Sequence, residues 1–342
     1  MESKELVVKT INQEPIPYIP TAFCNIMEHK IIERIAGVAP GCYRREPERV
    51  YIKCQQAIGV NMLDQFIPEN PLDMMEYGYE DYEMGPTTGA KHIMLDGMLI
   101  DSPEAVVSHL ESFAFPRLVK AIEEFDEEKR INEIIKTENE IQNKLGPEIV
   151  KAGYGFISFP ILAYSTYGYE NYFMAYALYP EVMERHFSLQ ADLAVLNNLA
   201  AAKAYQRGGF VPLYRLDHDM ADSRGTLVDI KTLDRLWFPH FERSIAPLLD
   251  AGIKLIWHCD GNLMEMIPRL LEAGLAGFQG FQYEDGMDYE KICRMKTRDG
   301  RDLIIWAGVS VTRTLPFGKP SDVKKEMEWL VENGPKTGLF LG

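Results

Sequence analysis

The sequence predicts an α/β protein, a (β/α)8 TIM barrel with an N-terminal helical elaboration. Three observations predict it. Short apolar runs alternate with longer helical patterns along the 342-residue chain, and such alternation gives parallel strands joined by right-handed crossovers. Strand-like runs occur near residues 17, 60, 154, 210, 253, 276, 303 and 338, and eight parallel strands favour closure. No GxGxxG follows any of them, which disfavours an open doubly wound sheet.

Each element has a local reason. Pro17-Tyr-Ile-Pro-Thr-Ala-Phe23 reads as the first strand, with prolines confined to strand starts and edges. Helical spacing covers Met27–Ile35 and Pro47–Ile58, the latter with proline in its first turn, where an N–H has no helical partner. Val60–Ile67 is the second strand, followed by a polar excursion over Pro68–Thr88. His92–Ile100 reads as a hairpin about Asp96-Gly97. Ser102-Pro103-Glu104 starts a helix, and Pro116–Leu145 is one long amphipathic helix. Strands then fall at Tyr154–Phe159, Phe210–Leu216, Ile253–His258, Ala276–Phe281, Leu303–Ala307 and Gly338–Leu341. Between them lie helices at Glu181–Arg207, Ile230–Ala251, Leu263–Ala273, Tyr289–Met295 and Pro320–Glu332. Gly252, Gly274 and Gly334 sit just past helix ends, where glycine closes a helix in the left-handed conformation. A single domain over 1–342 follows, with the elaboration spanning roughly 24–150 around strands one and two. Strand eight ends at Leu341-Gly342 without a loop or helix to cover it, so the chain is expected to be truncated there.

Composition narrows the function classes. Lys and Arg total 36 against 51 Asp and Glu, a net charge of −15. That argues against a general nucleic-acid or anionic-membrane binder, whose affinity comes from clustered Lys and Arg. The cysteines, Cys24, Cys42, Cys54, Cys259 and Cys293, are odd in number and widely spaced. They suit a reducing cytoplasm and give no thiolate zinc signature. The charged N-terminus lacks the apolar core of a signal peptide, and no apolar run reaches the ~18–20 residues of a membrane span.

In a barrel, chemistry collects at the C-terminal ends of the strands. Asp64 ends strand two, Arg215-Leu-Asp-His-Asp219 follows strand four, and Trp257-His-Cys-Asp-Gly-Asn262 follows strand five. Strand six ends in Gln279 and Gln282, and strand seven in Ser310–Thr314. Side-chain alternation puts Ile256, His258 and Asp260 on one face and Leu255, Trp257 and Cys259 on the other. His258 and Asp260 therefore face the mouth, as metal ligands or an acid–base pair. The bland alternative is a turn in which Asp260 caps the next helix. Asp217 and Asp219 form a second cluster, either functional or a hydrogen-bonded buttress. Asp64 is a candidate acid or the partner of a structural salt bridge. Arg44 and Arg45 could hold a carboxylate or phosphate, although Glu–Arg pairing at a solvated helix start explains them as well. Tyr164, Tyr167, Tyr169 and Tyr172 could line a pocket or pack in the core.

The stretches Leu255-Ile-Trp-His-Cys-Asp-Gly-Asn262, Ile267-Pro-Arg-Leu-Leu-Glu-Ala-Gly274 and Trp306-Ala-Gly-Val-Ser-Val-Thr-Arg-Thr-Leu-Pro-Phe-Gly-Lys-Pro320 resemble the uroporphyrinogen decarboxylase superfamily. Trp237-Phe-Pro-His-Phe-Glu-Arg243 and Gly155-Phe-Ile-Ser-Phe-Pro160 are similar to it too. The match runs from about residue 150 onward, and it implies the same barrel. It also implies one of two chemistries: cofactor-free decarboxylation of uroporphyrinogen, or zinc-dependent methyl transfer between a corrinoid protein and a thiol or other acceptor. The decarboxylases' arginine-bearing N-terminal motif is replaced here by Thr21-Ala-Phe-Cys-Asn25, and their expected tyrosine falls on Thr166, beside Tyr167. Asp64 matches their catalytic aspartate by approximate placement. The methyltransferases' His-x-Cys zinc pair becomes His258 and Asp260, and a carboxylate still ligates zinc or another divalent metal.

The resemblance thus implies a metal-dependent methyltransferase first. His258 and Asp260 are its ligands, Asp217 or Asp219 the further ligand or base, and Tyr167, Asn262 and Gln282 the positioning groups. Decarboxylation through Asp64 with Arg44 and Arg45 is the second expectation. A non-catalytic barrel partner of a corrinoid protein is the third. The residue after strand eight, a cysteine in the methyltransferases and a histidine in the decarboxylases, lies past the end of this sequence.

Overall fold

The computed structural model describes residues 1–23, 25–69 and 93–342. Cys24, His92 and most of the polar excursion at 68–88 lie outside the described residues. The backbone is mixed α/β. A parallel sheet holds Leu213–Asp217, Lys254–His258, Gly277–Gln279, Ile304–Ala307 and Leu339–Leu341 in that spatial order. Met62–Leu63 pairs in parallel with Val150–Lys151. Isolated parallel bridges extend both arrangements, Gly153 to Tyr214 and Thr21 to Leu341. The Thr21 carbonyl also accepts the N–H of Asn61 at 2.7 Å. This set of pairings is compatible with a TIM-like fold.

Alternation along these strands separates two cores. Met62, Val150, Leu213, Ile256, Ile304 and Phe340 share one buried cluster. Tyr214, Leu216, Leu255, Trp257, Phe278 and Ile305 belong to another, which contains the helices. The helix Ser3–Ile11 contributes Val7 and Ile11 to the first cluster. Its apolar positions are few and flanked by charge, so their spacing alone does not mark a helix. A third cluster packs the elaboration, with Tyr43, Val50, Tyr51 and Cys54 against Leu63 and Leu145.

Several boundaries differ from expectation. The first strand reduces to the bridge at Thr21. The third lies at Val150–Lys151 rather than Tyr154–Phe159. There, side chains replace the ladder: the Tyr214 hydroxyl accepts the N–H groups of Phe156 and Ile157 at 3.0 and 3.1 Å, and Asn198 Oδ1 accepts that of Ser158 at 3.0 Å. Every buried donor needs such a partner. The helix expected over Pro116–Leu145 is two, Phe115–Glu123 and Glu127–Leu145. Asp126 restarts it by accepting the Lys129 N–H at 3.0 Å. Ile230–Ala251 likewise divides into Ile230–Leu236 and Phe238–Asp250. The helices Tyr164–Tyr167 and Tyr169–Leu178 add to the expected set. Their dense tyrosines are buried on several sides and lack the narrow stripe that marks a surface helix. Gly334 ends its helix in an extended conformation with φ −70°, whereas Gly252 and Gly274 are left-handed as expected. The hairpin about Asp96-Gly97 is present, both residues having positive φ. No described helix is long and apolar enough to cross a membrane.

Candidate metal centre and cavity

Strand register assembles one polar layer. Asp217 pairs with His258, His258 with Gln279, and Gln279 with Trp306. All four line a cavity of about 710 Å³, together with Gln65, Arg215 and an apolar wall that includes Phe23, Ile26, Val309 and Leu315. Each lies at or near the C-terminal end of its strand. Leu255 and Trp257 pack against the helices instead, Trp257 within 5.6 Å of the Phe241 ring centroid. Cys259 shares their cluster. Burial pushes its thiol up to about 12, and Sγ accepts the Met220 N–H at 3.2 Å. It is a neutral, packed thiol.

Asp219, His258 and Asp260 come together so that one ligand atom from each lies within 4.8 Å of the others. Asp219 and His258 are half-buried, and Asp260 is exposed. The turn that presents Asp260 is pinned from three directions. Asp219 Oδ1 accepts the Asp260 N–H at 2.8 Å. Gln282 Oε1 accepts the Gly261 N–H at 2.8 Å, and the Asp222 carbonyl accepts the Asn262 N–H at 2.8 Å. Gly261 has φ +87°, and a Cβ there would come within 2.7 Å of the Asp222 carbonyl oxygen, so only glycine fits. Asp260 does not cap the following helix, which begins at Ile267 without a side-chain cap.

The donor set fits a divalent cation. One imidazole and two carboxylates are ligand types that zinc and other divalent metals accept. His258 Nδ1 is buried and has no hydrogen-bond partner among the described residues. Burial raises the Asp219 carboxyl above its ordinary value, and the Asp260 charge adds to the rise, while the Asp260 N–H opposes it. A cation between these groups would relieve the carboxylate repulsion and give the imidazole a partner.

Beside this triad lies a group that residue type alone did not single out. Arg215, buried beneath the cavity, donates from Nε to Asp64 Oδ2 at 2.6 Å and from Nη1 to Asp217 Oδ2 at 3.1 Å. Its guanidinium carbon lies 4.9 Å from the Tyr154 ring centroid and 5.7 Å from that of Trp306. The Tyr154 hydroxyl donates to Asp217 Oδ2 at 2.8 Å. Burial and the Asp217 charge push that phenol up to about 12, so it stays a donor. Alternation along the strand puts Arg215 on the face of Asp217; its ion pair with Asp64, 151 residues earlier, depends on the fold.

The remaining expected site residues fall elsewhere. Asp64 is 2% exposed and engaged by Arg215. Tyr167 is 3% exposed, its hydroxyl 3.0 Å from His109 Nδ1, and it does not line the cavity. His109 in turn meets Asp96, so this chain ties the hairpin to the helices. Arg44 and Arg45 are exposed and outside the cavity lining; Arg45 meets Cys42 Sγ at 3.3 Å. Asn262 and Gln282 act on the turn around Asp260. His218 accepts the Leu162 N–H at 2.9 Å, and burial pushes it down to about 4, so it is a neutral buttress.

As a sequence the chain matches no protein-family profile and no curated protein. As a fold it is similar to a methyltransferase from Methanosarcina mazei, with a TM-score of 0.58 and 15% identity over 100% of this chain and 93% of that one. At this identity the likeness concerns the fold.

Proposed function

We propose that the protein is a metal-dependent methyltransferase built on a closed (β/α)8 barrel of the uroporphyrinogen decarboxylase superfamily. The observation that carries the reading is the Asp219–His258–Asp260 triad beside a cavity at the C-terminal ends of parallel strands. The fold likeness to a methyltransferase supports it. The bridges at Thr21 and Gly153 support closure, because they link the two sheets on both sides.

Asp219, His258 and Asp260 would hold the cation, with zinc the first candidate. When bound, it supplies Lewis-acid activation, lowering a thiol's pKa or polarising a leaving oxygen. The chain's own groups do the rest. Gln282 and the Asp222 carbonyl fix the turn that presents Asp260. Asp217, held by Tyr154 and Arg215, is placed to accept a proton or a ligand N–H at the wall. The apolar wall excludes water from a methyl group. Val311, Leu315 and Phe317 stand exposed after strand seven, the first two also lining the cavity. They offer a rim for a corrinoid protein that would deliver the methyl group. Among the described residues Cys42, Cys259 and Cys293 are free thiols, in keeping with a cytoplasmic setting.

The geometry favours this reading over decarboxylation, because Asp64 is neutralised by Arg215 while Arg44 and Arg45 stand apart from the cavity. It favours it over a non-catalytic barrel, because a structural barrel has no need of the converging triad. Metal analysis after zinc loading and desalting tests it, alongside zinc-dependent demethylation of methylcobalamin by a thiol. The expected result is one zinc per chain and measurable turnover. Both are lost in His258→Ala and the zinc retained in Cys259→Ala, with circular dichroism unchanged. Wild-type protein that binds no divalent metal, or His258→Ala that keeps it, refutes the proposal.

A further inference from the structure

We infer that the cavity selects its ligand by the charge of the polar head, taking an organic ammonium in preference to a neutral or anionic group, with Asp217 as the specificity-determining residue. The inference rests on the reading of this cavity as the substrate site.

The argument is one of charge against position. Among the described residues that line the cavity, Arg215 carries the one cationic side chain and Asp217 the one side-chain carboxylate. The guanidinium is already paired with two carboxylates: Asp64 takes Nε at 2.6 Å and Asp217 takes Nη1 at 3.1 Å, with Gln279 Oε1 at 3.4 Å from the same nitrogen. The base of the cavity therefore carries one positive charge against two negative ones. Asp219 and Asp260 add two more beside His258, and a divalent cation held there would cancel those two alone. A surplus negative charge remains on Asp217 in either state.

Asp217 is also the accessible member of the group. Its side chain is 34% exposed, against 2% for Asp64 and 7% for Arg215. Tyr154 and Arg215 both engage the same oxygen, Oδ2. Around it the wall is apolar, with Phe23, Ile26, Ile35, Val309, Val311 and Leu315. Low-polarity walls strengthen the field of a fixed charge. Among the described residues, a carboxylate or sulfonate entering here meets only a guanidinium whose charge two aspartates already outweigh, and a neutral head gains hydrogen bonds without charge. An ammonium on an apolar body meets both requirements.

Calorimetric titration of the full chain with hexylammonium, hexanol and hexanoate tests this, since the three share one chain and differ in the head. Titrations run once with chelator, where a carboxylate cannot bind through a metal, and once after zinc loading. Hexylammonium is expected to bind at least about tenfold more tightly than hexanoate in chelator, the ratio expected of one unbalanced charge near 1.4 kcal/mol, with hexanol between them. Asp217→Asn is expected to shrink that ratio by most of this factor, and Asp260→Asn by less. Hexanoate binding as tightly as hexylammonium, no binding by any of the three, or an unchanged ratio in folded Asp217→Asn overturns the inference. Failure of the same protein to take up zinc overturns the metal-centre reading and leaves the ranking in chelator standing by itself.

Discussion

Replacing Asp64 by Asn should destabilise the protein by about 3 kcal/mol, at the lower end of the ~3–5 kcal/mol for breaking a buried ion pair. The magnitude follows from the neighbours. Asp64 accepts from Arg215 Nε at 2.6 Å, and both side chains are nearly inaccessible. The Asn keeps the shape and loses the charge, leaving a buried guanidinium with Asp217 at 3.1 Å as its remaining carboxylate. Because Asp217 is partly solvated, it compensates in part. Arg215→Met removes the partner of both aspartates and should lose about 4 kcal/mol. The double variant should lose about 4 kcal/mol rather than about 7, since neither residue then strands a charge. Urea unfolding followed by circular dichroism measures all three through midpoints at constant m-value. Single variants within about 1 kcal/mol of wild type, or strictly additive losses, would refute the view that Asp64 serves Arg215. An Asp64→Asn protein of native stability with lost turnover would instead give Asp64 a role in the chemistry.

Two further outcomes follow from the geometry. Gly280 has φ +74°, and a Cβ there would stand 2.7 Å from His258 Nδ1. Gly280→Ala should therefore displace the imidazole and weaken zinc binding on the order of tenfold or more, in the range of changes to groups supporting a ligand; equal zinc affinity by competition titration would contradict this. His186 is pushed by burial from 6.5 down to about 4, and its Nδ1 has no partner among the described residues. The folded state keeps it neutral while the unfolded chain takes a proton. Stability is thus intact above about 6.5 and is lost as pH falls toward 4, by about 3 kcal/mol in all. His186→Phe, beside Phe115 and Phe187, should flatten this acid limb; an unchanged slope in pH-dependent urea midpoints would count against the assignment.

The sequence by itself determined what local rules govern. Apolar runs and their spacing located the strands around 213–217, 254–258, 277–279, 304–307 and 339–341. Alternation alone placed His258 on one face of its strand and Trp257 and Cys259 on the other, because successive side chains point to opposite sides. It could not locate the third strand, since the apolar run at 154–159 satisfies its backbone through Tyr214 and Asn198 rather than a ladder. Nor could it show that Asp219 reaches the turn at Asp260. Only the tertiary structure decided these, because register and packing join residues far apart in the chain. Register set Asp217, His258, Gln279 and Trp306 side by side. Packing turned Asp64 from a candidate acid into the counter-charge of Arg215, took Tyr167 into the helical layer, and brought Asp219 to His258 and Asp260. A pairwise contact between distant residues leaves no periodic trace in a single sequence, so the site became legible only when the strands were aligned.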